Sequence, residues 1–427
     1  MGLALAQRLA AAGHAVTVLE REAQLGGLAT YHDYGGFFWD RFYHCILPSD
    51  SHLLRFVSDI GLGDRLRWRR TLTGFYVDDR LHSMSDTREF LRFPPVTPWG
   101  KVRLALTILY CSRIRDWRRL EAIPVGEWLR RMGGRRTYEK IWKPLLLAKL
   151  GENHHRVSAV FIWSYIKRLF AARHSSAKQE HLGYVAGGYK AVLERIGELV
   201  RAAGGDIRTA VSVARIEPAR GGGLWVECDG RREHFEKVVF TSPVNVLEKV
   251  AAGELLRVAR PGGRVEYLGV VCMVLVTRRP LVPHYVVNIA DERVPFTGII
   301  GMSNLVSGDE TGGLHLTYLP KYVLSDDPLL RCPDEEVRTL FFEGLATILP
   351  EYKRTEIESV HINRALKVQP LQVLNYSTLV PQVATAHPDF FVLNTAQFVN
   401  CTLNNNEVIR AVDEFLTAFR GVFHPPR

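Results

Sequence analysis

The sequence predicts an α/β fold in two interleaved parts: a parallel, doubly wound sheet domain, and a second domain that joins a helical part to a mixed or antiparallel sheet. Three observations carry this expectation. Residues 2–20 run helix, glycine, short strand, acid, which is the second half of a β-α-β unit. Residues 50–200 are mainly helical by the three- and four-residue spacing of their apolar positions. Beyond residue 205, β-branched runs alternate with glycine turns. A chain of 427 residues also exceeds what one compact core usually organises.

The elements follow in order. Residues 2–12 (GLALAQRLAAA) are rich in strong helix formers and stop at Gly13, a residue suited to the left-handed position after a helix. Residues 14–19 (HAVTVL) form a short strand that ends at Glu20. Helices are expected over 51–60, 101–117 and 125–132, and an amphipathic helix leaves a glycine turn in 184–199. Strands are expected at 207–216, 224–228 and 237–240, then at 264–276, 285–289 and 313–318. A helix over 337–349, a strand at 390–393 and a closing helix over 408–419 complete the chain. No segment repeats with a fixed period, and none is of low complexity.

Composition narrows the function. Apolar residues make up 47% of the chain, ample for a buried core. The longest apolar run in a polar setting, 104–111, is about half of a bilayer span. With no tripartite leader at the start, a cytoplasmic protein is expected, either soluble or held at the inner face of a membrane. Six cysteines stand singly, without metal-ligand spacing, so no metal site is expected. The net charge of +10 is concentrated between residues 65 and 173, where no nucleic-acid-binding signature occurs, so no nucleic-acid partner is expected. The basic, aromatic stretch 92–119, with Trp99, Tyr110 and Trp117, suits peripheral contact with anionic lipid, or else a solvated helix face with core-directed tryptophans. Nothing in the sequence sets an oligomeric state.

The opening residues carry the chemistry. A dinucleotide's pyrophosphate needs backbone N–H groups at a helix N-terminus clear of side chains, and its ribose needs an acceptor at the end of the next strand. Gly2 and Glu20 stand at the separation this requires. Helix, glycine, strand and acid also recur in α/β proteins that bind nothing there. The continuation Glu20-Arg21-Glu22-Ala23-Gln24-Leu25-Gly26-Gly27-Leu28-Ala29-Thr30 is more specific. Gly26 and Gly27 permit positive φ and close backbone approach, and Arg21 offers charge to a phosphate region.

This stretch resembles the signature of the flavoprotein superfamily that holds amine oxidases, protoporphyrinogen oxidases, phytoene desaturases and UDP-galactopyranose mutases. Later segments resemble it in order. Residues 187–193 look like its second glycine pair and helix, and Val213-Ala214-Arg215-Ile216 resembles the strand whose valine packs beside the adenine. Residues 391–396 and 403–407 occupy the place of the terminal flavin motif. There Asn404 or Asn405 would cap the last helix and direct its N-terminus at the flavin O2 region. Two departures stand out. Asn394-Thr395 replaces the usual Gly-Asp pair, which leaves Thr395 in the position of the aspartate. The first strand and the first two glycines of the fingerprint do not precede Gly2, which reads as a start assigned too late.

The resemblance implies a Rossmann-like FAD-binding domain over 1–75, 183–262 and 371–427, and a substrate domain over 76–182 and 263–370. It implies FAD as cofactor and hydride transfer from a small-molecule substrate to flavin N5. The substrate would be an amine, porphyrinogen, polyene or similar small or lipophilic compound. The alternatives are a mutase-like flavoenzyme acting on a sugar nucleotide, and a non-catalytic protein without cofactor. Among groups for chemistry, His44 follows the loop beneath the flavin ring and titrates near neutrality. Asp40 is expected to pair with Arg41 or a helix end. Some relatives place a lysine to hold water against N5, which singles out Lys143 and Lys149 beside the helix-end alternative. Tyr318 and Tyr322 are read as pocket or, more commonly for such strands, core.

Overall fold

The computed structural model describes residues 1–175, 181–259 and 263–423. The expected domain boundary at 262 and the last four residues of the closing segment lie outside the described residues.

The alanine- and leucine-rich opening forms α1 (Gly2–Ala11), which buries Ala4, Leu5, Ala6 and Ala10. Gly13, at φ +88°, reverses the chain into β1 (Thr17–Leu19). The hairpin β2 (Tyr31–Asp33) and β3 (Phe38–Asp40) follows, and then α2 (Ser51–Asp59). The stretch read as mainly helical also contains strands β4 (Leu66–Arg70), β5 (Thr73–Val77) and β6 (Arg80–Ser83). The reason is local: Asp78 and Asp79 both take positive φ, closing a two-residue hairpin of the primed type between β5 and β6. The boundary expected after residue 75 falls inside β5.

A helical layer comes next. It comprises α3 (Thr87–Arg92), α4 (Pro98–Arg113), α5 (Arg118–Glu121), α6 (Val125–Gly133), α7 (Arg135–Thr137), α8 (Lys143–Leu150) and α9 (Ala159–Ser175). Asp86 and Thr97 cap α3 and α4, accepting from Glu89 and Gly100 N–H groups. Strand β7 (His181–Val185) pairs antiparallel with β4 and leads into α10 (Gly188–Ala202).

Then come β8 (Asp206–Arg208), β9 (Val213–Pro218), β10 (Leu224–Cys228), β11 (Arg231–Phe235), β12 (Val238–Phe240), α11 (Val244–Val250) and α12 (Gly253–Ala259). The single strand expected over 207–216 is broken into β8 and β9. Ala210 takes φ +58°, and Ala210 and Val211 donate to the carbonyls of Glu22 and Glu20, which turns the chain. The remainder is β13 (Tyr267–Thr277), β14 (Val286–Ile289), β15 (Gly298–Gly301), β16 (His315–Leu324), α13 (Asp334–Ile348), β17 (Ile357–Pro370), β18 (Phe390–Val392) and α14 (Asn405–Ala418).

Two sheet systems position the site. The larger has seven strands in the order β17-β13-β16-β15-β14-β5-β6, antiparallel except for the parallel pair of β14 with β5. Every residue of β13 is buried. Its even-numbered residues from Val270 pack with Tyr34 and Tyr318, and Val271, Met273 and Leu275 pack with Phe341 and Leu345 of α13. The nucleotide-type half holds two parallel pairs, β1 with β8 and β12 with β18, where the sequence suggests one continuous sheet. Leu3, Val16, Val18, Val239 and Phe240 line one cavity that opens between the pairs. No helix among the described residues is long and apolar enough to cross a membrane.

Candidate active site

That cavity, of about 2350 Å³, runs from the parallel pairs to the helical layer and the large sheet. At the first end, α1 begins at Gly2, where a Cβ would stand 3.0 Å from the Thr241 hydroxyl, so only glycine leaves the helix start clear. Glu20 follows β1. One carboxylate oxygen accepts from the Glu22 N–H at 3.0 Å, and its second oxygen has no partner among the described residues. The Arg21 guanidinium turns to Glu22 at 2.7 Å, at the exposed rim of the cavity. Gly26 and Gly27 take φ of +118° and +58°; a Cβ at Gly26 would fall 2.4 Å from a Leu193 methyl of α10. The doublet therefore brings bare backbone to the cavity wall and lets α10 approach it.

Val213, Thr395, Asn404 and Asn405 close this end, all lining the same cavity. Asn404 caps α14, accepting from the Glu407 N–H at 3.0 Å. Its amide is held by Thr402, and the first residue of α14, Asn405, bonds Tyr189 of α10. The positive end of α14 therefore meets the cavity. Beside it, Asn394 is buried, donating to the Ser242 carbonyl and capping the turn Thr395–Gln397. This leaves Thr395 as the side chain of the pair that reaches the cavity.

Asp40 is buried and bonds the Tyr189 N–H at the start of α10 at 2.8 Å, and His44 Nδ1 at 3.2 Å. It caps a helix end, as one of the two expectations has it. Arg41 instead reaches Asn363 across the interface with β17. His44 lines the cavity, its ring 4.9 Å from that of Tyr189.

At the far end the lining is largely apolar: Phe75, Phe90, Leu104, Phe161 and Ile166 are representative. Polar groups stand among them, including Thr73, Arg168, Asn288, Thr297 and Gln369. Tyr322 lines the cavity and shares a 2.7 Å hydrogen bond with Tyr43. Tyr318 is core instead, its hydroxyl donating to the Asp40 carbonyl at 2.6 Å. The Lys149 ammonium sits 3.1 Å from the centre of the Tyr322 ring, with no carboxylate partner among the described residues. Burial lowers it from 10.5 to about 7. Lys143 is not brought to the cavity; it lies 4.0 Å from Glu139 on the outside. The six-residue step from Lys143 to Lys149 places them about 120° apart round α8. Acids among the lining residues are Glu20, Glu22 and Glu236, and none belongs to the helical layer or the large sheet.

Thr241 and Ser242 after β12, and the cations Lys249 and Lys367 that share the rim with Arg21, stand at the site without being among the residues expected there. The small residues at a strand end were a usable signal for the first two. The lysines come together only through tertiary packing of α11 and β17. The arrangement fits a dinucleotide at the first end: two helix N-termini, bare glycine backbone, a carboxylate with one oxygen unpaired, and rim cations.

The family model for flavin-containing amine oxidoreductases matches residues 2–372. No match is found among curated proteins. Among solved structures, one similar chain is a protein from Exiguobacterium sp. 255-15 assigned as a protoporphyrinogen oxidase. It has a TM-score of 0.73 and 16% identity, over 98% of this chain and 96% of that one. Wild-type putrescine oxidase bound to putrescine gives 0.71 and 14%, over 98% and 96%. Cyclohexylamine oxidase from Brevibacterium oxydans IH-35A gives 0.70 and 13%, over 98% and 96%. At such identities the likeness establishes a shared fold.

Proposed function

The chain belongs to the flavin-containing amine oxidoreductase family, with FAD as its cofactor, and on that premise we propose that it oxidises a neutral, lipophilic substrate. The observation that carries this reading is one cavity with an end lined by Gly2, Glu20 and the Gly26-Gly27 doublet, and an acid-free, largely apolar end that holds the half-buried Lys149.

When bound, FAD supplies the acceptor for a hydride from a substrate carbon. The chain's residues do the rest. Glu20 offers its unpaired oxygen to ribose hydroxyls, while Gly2, Gly26 and Gly27 let backbone N–H groups approach the diphosphate. The α14 N-terminus, fixed by Asn404, presents its positive end to developing negative charge. At the far end Phe75, Phe161 and Ile166 exclude water and orient an apolar body by contact. A protonated amine would meet Lys149 there and find no carboxylate, which favours a neutral substrate over a cationic one. With its value near 7, Lys149 Nζ is suited to take a proton from the substrate as the hydride leaves.

The test is anaerobic. The chain is loaded with FAD, mixed with neutral lipophilic candidates and with diamines, and bleaching of the flavin absorbance is followed. Bleaching by a neutral lipophile, but not by diamines, is expected. Faster bleaching by diamines would overturn the substrate class, and a chain that retains no FAD would overturn the redox reading.

A further inference from the structure

Among the described residues ten large apolar side chains are strongly exposed, and six lie within twenty positions: Leu91 on α3, and Trp99, Val102, Leu106, Leu109 and Tyr110 on α4. Leu91, Trp99 and Leu106 are 63%, 67% and 57% exposed. The α4 members recur at three- and four-residue steps and so share one face of the helix. The opposite face is not polar either, since Leu104 and Ile108 line the cavity and Cys111 is fully buried. A helix facing water ordinarily carries its charges outward. Here two of the three cations within α4 are drawn away, and the third, Arg113, stands at its last residue. Lys101 donates to the Leu91 carbonyl at 2.6 Å, and Arg103 to the Met132 carbonyl at 2.9 Å.

The charges lie around the apolar face. Residues 88–119 hold eight Lys or Arg against two acids. Glu89 is folded onto Ser83 and Ser85, and Asp116 holds Arg119. Arg88, Arg92 and Arg115 are exposed and have no carboxylate partner among the described residues. A greasy row ringed by unpaired arginines matches acyl chains flanked by lipid phosphates. A second copy of the same face would instead bring the two arginine sets together.

We propose that the α3–α4 face docks on an anionic phospholipid bilayer, with Leu91, Trp99 and Leu106 in the acyl region and the surrounding arginines at the phosphates. Docking in this way sets the cavity wall formed by Phe90, Leu104 and Ile108 directly behind the lipid-facing residues.

Flotation with phosphatidylglycerol-rich vesicles and with phosphatidylcholine vesicles tests this on the full chain. Binding to the anionic vesicles should be roughly tenfold stronger and should weaken with salt. Trp99→Glu and Leu106→Glu should each lower the bound fraction at least about fivefold. Arg115→Glu should lower binding to anionic vesicles alone. Brominated acyl chains should quench the wild type more than Trp99→Phe, and unchanged circular dichroism would show that the variants are folded. Absence of binding to anionic vesicles, or equal binding by the wild type and both glutamate variants, would overturn the proposal. So would a lipid-free dimer, seen by sedimentation, that Leu106→Glu dissociates. No readout involves turnover, so the docking face stands or falls separately from the redox reading.

Discussion

Lys149 holds its ammonium 3.1 Å from the centre of the Tyr322 ring, and that ring's hydroxyl is engaged by Tyr43 at 2.7 Å. The protonated form of the lysine is thus supported by a π face, in a wall that supplies no carboxylate. Burial lowers its value in the fold from 10.5 to about 7. Between those values the folded chain binds fewer protons than the unfolded one, so this group makes stability rise with pH. Its cost is complete below about pH 7 and gone above about pH 10.5. Lys149→Met should therefore be more stable than the wild type near pH 6, by about 1–3 kcal/mol once solvent in the cavity and the ring are allowed for. The gap should close toward pH 10. Urea midpoints at both pH values check this, and a gap that is constant with pH would contradict it.

A methyl group at Gly26 would collide with Leu193 and would also sit at φ +118°. Gly26→Ala should cost about 2–4 kcal/mol and sharply reduce FAD retention. Gly13 has positive φ but open space around it, so Gly13→Ala should cost about 1 kcal/mol and leave FAD retention intact. Thermal unfolding and the flavin-to-protein absorbance ratio separate the two.

Glu20→Ala removes the one carboxylate at the end of β1 and should weaken FAD binding about 10- to 100-fold. Glu22→Ala, whose side chain only holds Arg21 at the rim, should stay within a few-fold of the wild type. Titration of FAD fluorescence reads both. Comparable losses in the two variants would remove Glu20 from the site.

His32 and His361 share a 3.2 Å hydrogen bond between the β2–β3 hairpin and β17, and His361 also bonds Ser359. Burial lowers both, with Arg41 adding to His32, and His32 and Arg338 adding to His361. A lowered histidine binds fewer protons folded than unfolded, so stability should fall as pH drops through about 6.5. His361→Gln should lose less stability between pH 7 and pH 5 than the wild type. Denaturation midpoints across that range would show it, and a larger loss in the variant would count against it.

Lys143→Ala should leave kcat and KM within about twofold of the wild type, because its partner Glu139 lies outside the cavity. Steady-state kinetics with any substrate found active are sufficient to check this.

The sequence made the nucleotide end legible because a few residue types are forced there. Gly26, Gly27 and Glu20 are dictated by backbone φ and by an acceptor at a strand end, and both leave marks in a single sequence. Other features had no such mark. Strand β17 reads IESVHINRALKVQP, and with one face partly solvated its charged residues hide a pattern that becomes a strand only by pairing with β13. Lys149 and Lys143 look alike in sequence, and only the turn of α8 against β16 decides which enters the cavity. Tyr318 and Tyr322 lie four residues apart on one strand, yet the first is spent on the Asp40 carbonyl and the second meets the cavity. That division comes from the neighbouring β2–β3 hairpin, which lies far away in sequence.

Strand β13 is a party wall. Val270 faces the cavity, while its neighbours Val271 and Met273 rest on α13, a helix none of whose residues reaches that space. A methylene added to Phe341 or Leu345 of α13 would have nowhere to go but against the strand, whose displacement would move the floor on which a substrate lies. The shape of the catalytic chamber is thus set in part from a room with no door into it. Variants that change what this protein accepts should therefore arise on α13 as well as among the residues that touch the substrate.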